Sequence, residues 1–199
     1  HLGVSLVPHH SKYLGLPCIS SKNKQNMFAA IKERIWNKLN GLKRHLFSGG
    51  GREVLLKSVI QAIPAFVMNL FRLPKSLTSE IHRLCARFFW GGDVNKRKVH
   101  WCSWKFLCRH KNDGGLGFRD LNHFNQAILA KQGWRVIANP DSLIARTLRS
   151  IYFPNSSFLQ VLPKHSDSAV WKSILWGRIL HLKGLRWRIG DGFSVSIYY

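Results

Sequence analysis

The chain has 199 residues, of which 31 are Lys or Arg and only 9 are Asp or Glu, so its formal net charge is +22. Hydrophobic residues make up 45% of the chain and aromatic residues 12%, which excludes a disordered basic tail and indicates one large domain or two small ones. The longest apolar stretch, residues 59–71, is shorter than the roughly 20 residues that span a bilayer. We therefore expect no transmembrane helix.

The excess of positive charge indicates a polyanionic partner. Nucleic acid is favoured over an anionic membrane surface, because the cations are spread through core-forming segments and not along one amphipathic helix. The chain begins with His1, and residues 1–12 lack a basic region followed by an apolar one, so we expect no signal peptide and a piece of a longer protein. The four cysteines are too few and too unevenly spaced for a disulfide framework, which indicates a reducing, intracellular compartment.

The nine acidic residues are isolated from one another, with no two closer than seven positions. Two-metal phosphoryl transfer and glycoside hydrolysis both require carboxylates that converge on one site. The sequence therefore predicts a chain without a polymerase or nuclease site of its own.

Three amphipathic helices are predicted in residues 22–92. The first has apolar residues every three or four positions, at Phe28, Ile31, Ile35, Leu39, Leu42 and Leu46. Three glycines after Ser48 are read as a flexible turn, in preference to a phosphate cradle beside Arg52. The second helix covers residues 54–70 with a kink at Pro64, and the third, after Pro74, has a core face of Leu77, Ile81, Leu84, Cys85, Phe88 and Phe89.

The second half of the chain begins with a basic, Gly-rich linker, residues 93–118. Its Lys96-Arg97-Lys98 run, next to His100 and Trp101, fits a phosphate contact and a solvated loop equally well. Residues 119–184 form a helical connector, with helices over residues 121–138, 141–152 and 169–182, and residues 185–199 alternate as a β-hairpin. The predicted fold is mainly α: a three-helix bundle, a helical connector and a C-terminal β-hairpin.

Two cysteines and two histidines lie close together in the linker, at His100, Cys102, Cys108 and His110. A metal-dependent enzyme that binds zinc there is one alternative, although the ligand pairs of zinc knuckles are usually two to four residues apart, which Cys102 and Cys108 are not. Cys18 and Cys85 are more simply explained as small buried residues.

Several long motifs point to a known family. They are KYLGLP (12–17), GGREVLLKSVIQAIPAFVMNLFRLPKS (50–76), FFWGG (88–92), HWCSW (100–104), GGLGFRDLNHFNQAILAKQGWRVIANPDSL (114–143), YFP (152–154) and WRIGDG (187–192). In this order they resemble the region after the polymerase palm in reverse transcriptases of plant LINE-type (non-LTR) retrotransposons. They also resemble short reading frames of plant mitochondrial genomes that derive from such elements.

The resemblance implies a part of an enzyme. Residues 1–21 would be the transition from palm to thumb, residues 22–92 the thumb, and residues 119–184 a connector towards a zinc-binding segment. The Tyr-Ala-Asp-Asp box of the palm is absent, so no catalytic residue of the family can be assigned. The resemblance implies no cofactor and no small-molecule substrate. It implies that the partners are the missing palm and zinc-binding segments of the parent polyprotein. An active element would act in the nucleus, and an organellar remnant would lie in mitochondria.

A thumb grips the template-primer, an RNA/DNA duplex, by its backbone. The residues that we predict as its phosphate contacts are Arg52, Lys57, Arg83, Arg87, Lys96, Arg97 and Lys98, with Trp101 as a stacking residue. The alternative is a pseudogene remnant or a scaffold protein with no present activity.

Overall fold

The computed structural model describes residues 12–13, 16–17, 24–42, 46–91 and 98–186, and this part of the chain is mainly helical, as the sequence predicts. Its α-helices are α1 (Lys24–Gly41), α2 (Gly49–Leu55), α3 (Ala65–Met68), α4 (Lys75–Phe89), α5 (Trp104–Leu107), α6 (Leu121–Ala138), α7 (Leu143–Tyr152) and α8 (Ala169–Gly184). Strands β1 (Lys12–Tyr13) and β2 (Leu16–Pro17) pair antiparallel, with Lys12 opposite Pro17. None of the described helices is both long enough and apolar enough to cross a membrane.

The chain divides into two compact units. Unit 1 contains the chain up to Met68 and Leu73–Phe124, and unit 2 contains Asn69–Arg72 and the chain from Asn125 onwards. Helix α6 therefore begins in unit 1 and continues in unit 2. The described part of the predicted linker, residues 98–118, belongs to unit 1 together with the three predicted helices.

The core of unit 1 is built on the apolar faces of α1 and α4. Ile31, Ile35 and Leu39 of α1 are buried as predicted, whereas Leu46, assigned to the same helix, lies beyond its end and is 68% exposed. On α4 the buried positions include Leu77, Ile81, Cys85 and Phe88, which recur every three or four residues and confirm the predicted core face. The partner of both helices is the segment of residues 56–60, where Leu56 and Ile60 are fully buried.

The second predicted helix is interrupted. The Ser48 side chain accepts a hydrogen bond from the Gly51 N–H at 3.2 Å and caps α2, so the three glycines form its first turn and not a loop. Residues 56–60 follow as a π-helical segment, in which the Gln61 N–H reaches back five residues to the Leu56 carbonyl. Because Pro64 has no N–H to donate, the helical pattern breaks there into a turn before α3 resumes at Ala65.

A Gly-rich turn closes the end of unit 1. Gly114 and Gly117 have φ values of +78° and +69°, a region that glycine adopts without strain. At Gly115 the limit is space, since a Cβ would lie 2.2 Å from the carbonyl oxygen of Arg109. Backbone conformation and the close approach of two backbone segments thus explain the three glycines of this turn, and no bound phosphate is needed to explain them.

Unit 2 packs around Trp171 of α8. The ring of Trp171 is 1% exposed and stacks on Tyr152 and Phe153, with ring centroids 4.6 and 5.6 Å apart. Helices α6 and α8 cross closely at Gly177, where a Cβ would lie 2.4 Å from the backbone nitrogen of Ala130. The three helices predicted in this region are confirmed.

The predicted C-terminal hairpin falls mainly on residues 187–199, which lie outside the described residues. Leu185 and Arg186 are the two described positions of that region, and neither is in a strand. The hairpin therefore gains no support from the structure.

Candidate functional site

A groove of about 520 Å³ lies on the surface of unit 1. Its lining residues are His82, Arg83, Ala86, Arg87, Lys98, His100 and Trp104. Of these described lining residues, three are permanent cations, three are aromatic or imidazole rings, and none is acidic. Such a lining favours an anionic ligand that also presents an apolar or aromatic surface.

The secondary structure explains how these side chains meet. Positions 82, 83, 86 and 87 of α4 fall within one arc of the helix, because residues one turn apart lie on the same side. The facing wall is residues 98–101, which have no helical or strand assignment. Within it, Lys98 and His100 line the groove, whereas Val99 and Trp101 do not and are 72% and 82% exposed.

A fourth cation lies next to the groove. A Cβ on Gly91 would be 2.9 Å from Nη1 of Arg52 and 3.8 Å from Nζ of Lys98, so both charges lie beside the C-terminal end of α4. The partial negative charge of a helix C-terminus favours cations there. Among described residues, the Arg52 side chain donates only to the Ser48 carbonyl, at 3.4 Å, so its charge has no described carboxylate partner.

Two described carboxylates, one next to Arg52 in sequence and one three residues before Arg83, are already engaged. Glu53 binds Lys57 at 2.6 Å, and Glu80 binds Lys32 at 2.8 Å and contacts Arg83 only at 4.0 Å. The hydrogen bond from Lys32 lowers the pKa of Glu80 below its ordinary value. The side chains of Arg87 and Lys98 form no hydrogen bond or ion pair with any described residue, so their positive charges are not paired within the described part of the chain.

Contacts with neighbouring residues hold the rings that line the groove in place. Trp104 stacks on the buried Phe118, with centroids 4.6 Å apart and planes at 28°, and His100 stacks on Trp90 at 6.3 Å and 25°. His82 accepts a hydrogen bond from the Leu121 N–H at 3.0 Å. Burial lowers the pKa of His82, partly offset by the nearby Asp120, which keeps the ring neutral and able to accept this bond.

Not every predicted contact belongs to the groove. Lys57 is half-buried and donates to Glu53 and to the carbonyl of Leu116, so it has an internal, structural role. Trp101 is exposed but outside the lining. Lys96 and Arg97 lie outside the described residues.

The sequence analysis did not assign His82, His100 and Trp104 to a nucleic-acid site. For His82 the signal was present, since it precedes Arg83 and lies one helical turn before Ala86 on the same arc of α4. His100 lies in an irregular segment and Trp104 begins the short helix α5, and hydrophobic periodicity does not show which residues of such elements face α4.

The four residues of the zinc alternative do not form a metal site in the described part of the chain, which holds no group of three or more His, Cys, Asp or Glu side chains that could bind an ion. His110 instead accepts a hydrogen bond from the Asn112 N–H at 3.2 Å. Burial raises the pKa of both Cys85 and Cys108 to about 12, which disfavours the thiolate that a zinc site requires.

Two plant proteins are similar to this chain, while no protein-family model matches it. One is the "Uncharacterized mitochondrial protein AtMg00310" of Arabidopsis thaliana, 45% identical over 138 residues, which are 69% of this chain and 90% of that protein. The other is the "Putative ribonuclease H protein At1g65750" of the same plant, 31% identical over 188 residues. That match takes in 92% of this chain, but the chain spans only 30% of the length of this second relative. The chain belongs to the same family as the mitochondrial protein AtMg00310.

Proposed function

We propose that this chain is a non-catalytic, nucleic-acid-binding part of a LINE-type reverse transcriptase, and that unit 1 contacts the phosphate backbone of the template-primer. The observation behind this proposal is the groove, where Arg83, Arg87 and Lys98 meet beside Arg52 and no described lining residue is acidic. Each unpaired cation can displace a condensed counterion from a phosphate, which drives binding at low salt.

The resemblance of the motifs extends this proposal to the parent enzyme. Helices α1, α2 and α4 would correspond to the thumb, and α6 to α8 to the connector that follows it. A relative named for ribonuclease H matches 92% of this chain, and its name supports a parent protein that acts on nucleic acid. The chemistry would then belong to the palm, because the acidic residues of this chain are scattered in sequence, and Glu53 and Glu80 pair with lysines.

The test is a salt titration of binding to an RNA/DNA duplex, measured by fluorescence anisotropy. The variant Arg83→Gln, Arg87→Gln, Lys98→Gln removes three charges from the groove. Since each phosphate contact contributes about 0.9 to the slope of log K against log salt in B-form DNA, the slope should decrease by about 2.7.

The matched control removes three exposed cations from unit 2, as Arg146→Gln, Arg149→Gln, Lys164→Gln. We expect this control to keep most of the wild-type slope, because those residues lie far along the chain from the groove and have no role in it. If wild type does not bind at about 50 mM salt, the proposal is wrong and a remnant without activity is the better description. Equal slopes for the two variants would also contradict it, since the groove would then have no special role.

A further inference from the structure

The groove has more aromatic surface than a contact with phosphates alone requires. Lysines and arginines on an open surface are enough to grip a duplex backbone. Here the cations share a concave site with the rings of Trp104, His100 and His82. Inside a duplex each base is covered on both faces by its neighbours, so these rings could stack only on a base that has left the stack.

The rings are held in fixed positions before any ligand arrives. The buried Phe118 stacks on one face of Trp104, whose side chain also lines the groove. His82 is tilted towards Trp104 at 6.1 Å and is tied to the start of α6 by its hydrogen bond from Leu121. Since these rings are already ordered, little binding free energy is lost to ordering side chains when a base stacks on them.

The size of the groove fits one nucleotide. Its volume of about 520 Å³ lies in the range of pockets that enclose small ligands, roughly 300 to 1,000 Å³. The two kinds of lining also match the two parts of a nucleotide, with rings for the base and with Arg83, Arg87 and Lys98 for the adjoining phosphates.

We infer that the groove holds one unpaired nucleotide, with its base on the Trp104 and His100 rings and its phosphates on the three cations. This inference rests on the proposed function and narrows its ligand to single-stranded nucleic acid or an unpaired end that continues a duplex. The chain then prefers a single strand with bases over one of the same charge without them.

Fluorescence anisotropy with the full chain tests this by comparing a uridine oligonucleotide with an abasic oligonucleotide of equal length. Stacking of one base contributes about 1–3 kcal/mol, so the abasic strand should bind about 5- to 150-fold more weakly. The variant His100→Ala should lessen this difference, and it should fold because His100 is exposed. Trp101→Ala, at an exposed ring outside the lining, is the matched control and should keep the difference.

The outcomes separate this inference from the proposed function. If both strands bind with equal affinity and a steep salt dependence, the stacking inference is wrong while the backbone-binding proposal stands. If Trp101→Ala abolishes the difference and His100→Ala does not, the base stacks elsewhere and the groove assignment is wrong. If neither strand nor the duplex binds at low salt, both proposals fail.

Discussion

Replacing Gly115 with Ala places a methyl group against the backbone of Arg109. The new Cβ would lie 2.2 Å from the carbonyl oxygen, 2.6 Å from the carbonyl carbon and 2.8 Å from the Cα, whereas Cβ atoms essentially never approach other heavy atoms within 3.0 Å. The backbone there cannot move freely. The Gly115 N–H bonds to the His110 carbonyl at 3.1 Å, and the Gly117 N–H bonds to the Arg109 carbonyl itself at 2.9 Å.

The cost follows from these contacts. Overpacking a close-packed site costs about 1–3 kcal/mol, and each of the two backbone hydrogen bonds that must lengthen adds about 1 kcal/mol, so the free energy of unfolding should decrease by about 3–5 kcal/mol. That is a large part of the roughly 5–15 kcal/mol that stabilises a typical domain. The turn also orders Phe118, which lies under Trp104, so the groove should loosen as well.

Urea unfolding of the variant, followed by tryptophan fluorescence, measures this loss. Gly50→Ala is the matched control in the same unit, because Gly50 lies in α2 and a Cβ there would meet nothing within 4 Å. In a helix this change should stabilise by about 0.5–1 kcal/mol. A Gly115→Ala variant as stable as the Gly50→Ala variant would refute the close approach of the two backbone segments.

Three further predictions concern particular contacts. Gly177→Ala in α8 should destabilise unit 2 by about 3 kcal/mol, because the Cβ would lie 2.4 Å from the Ala130 nitrogen, and calorimetry should show no comparable loss for Gly184→Ala, which has open space. Trp171→Ala should cost about 3–5 kcal/mol in urea unfolding, because the ring is fully enclosed. Burial lowers the pKa of His82 below 6.5, so the unfolded chain binds more protons than the folded chain below that pH, and the wild type should lose stability on acidification. The His82→Asn variant cannot titrate at this position. Its free energy of unfolding should therefore decrease less, as unfolding curves at several pH values would show.

The regular helices were predictable because their apolar residues recur with the helical period. Helices α6, α7 and α8 agree with their predictions within a few residues. The second predicted helix is broken at Pro64, where a kink was predicted, but periodicity does not reveal the π-helical segment that also divides this apolar run.

The site was predictable only in part. Arg83 and Arg87 are one turn apart on a helix whose core face was clear, so their shared exposed side followed from the sequence. Lys57 has the same chemistry, but one of its two partners, the Leu116 carbonyl, lies 59 residues away along the chain, which the sequence pattern does not reveal. Periodicity also does not show that Trp104 lines the groove and Trp101 does not, since the packing of Phe118 against Trp104 is a tertiary contact.

The central claim is that nucleic acid binds in the groove of unit 1, and photo-cross-linking tests it most directly. A 4-thiouridine oligonucleotide bound to the full chain is irradiated, and the cross-linked peptides are identified by mass spectrometry. The account predicts adducts in residues 82–87 of α4 and in residues 98–104. Adducts confined to unit 2, for example to α7 or α8, with none in either groove segment, would contradict it.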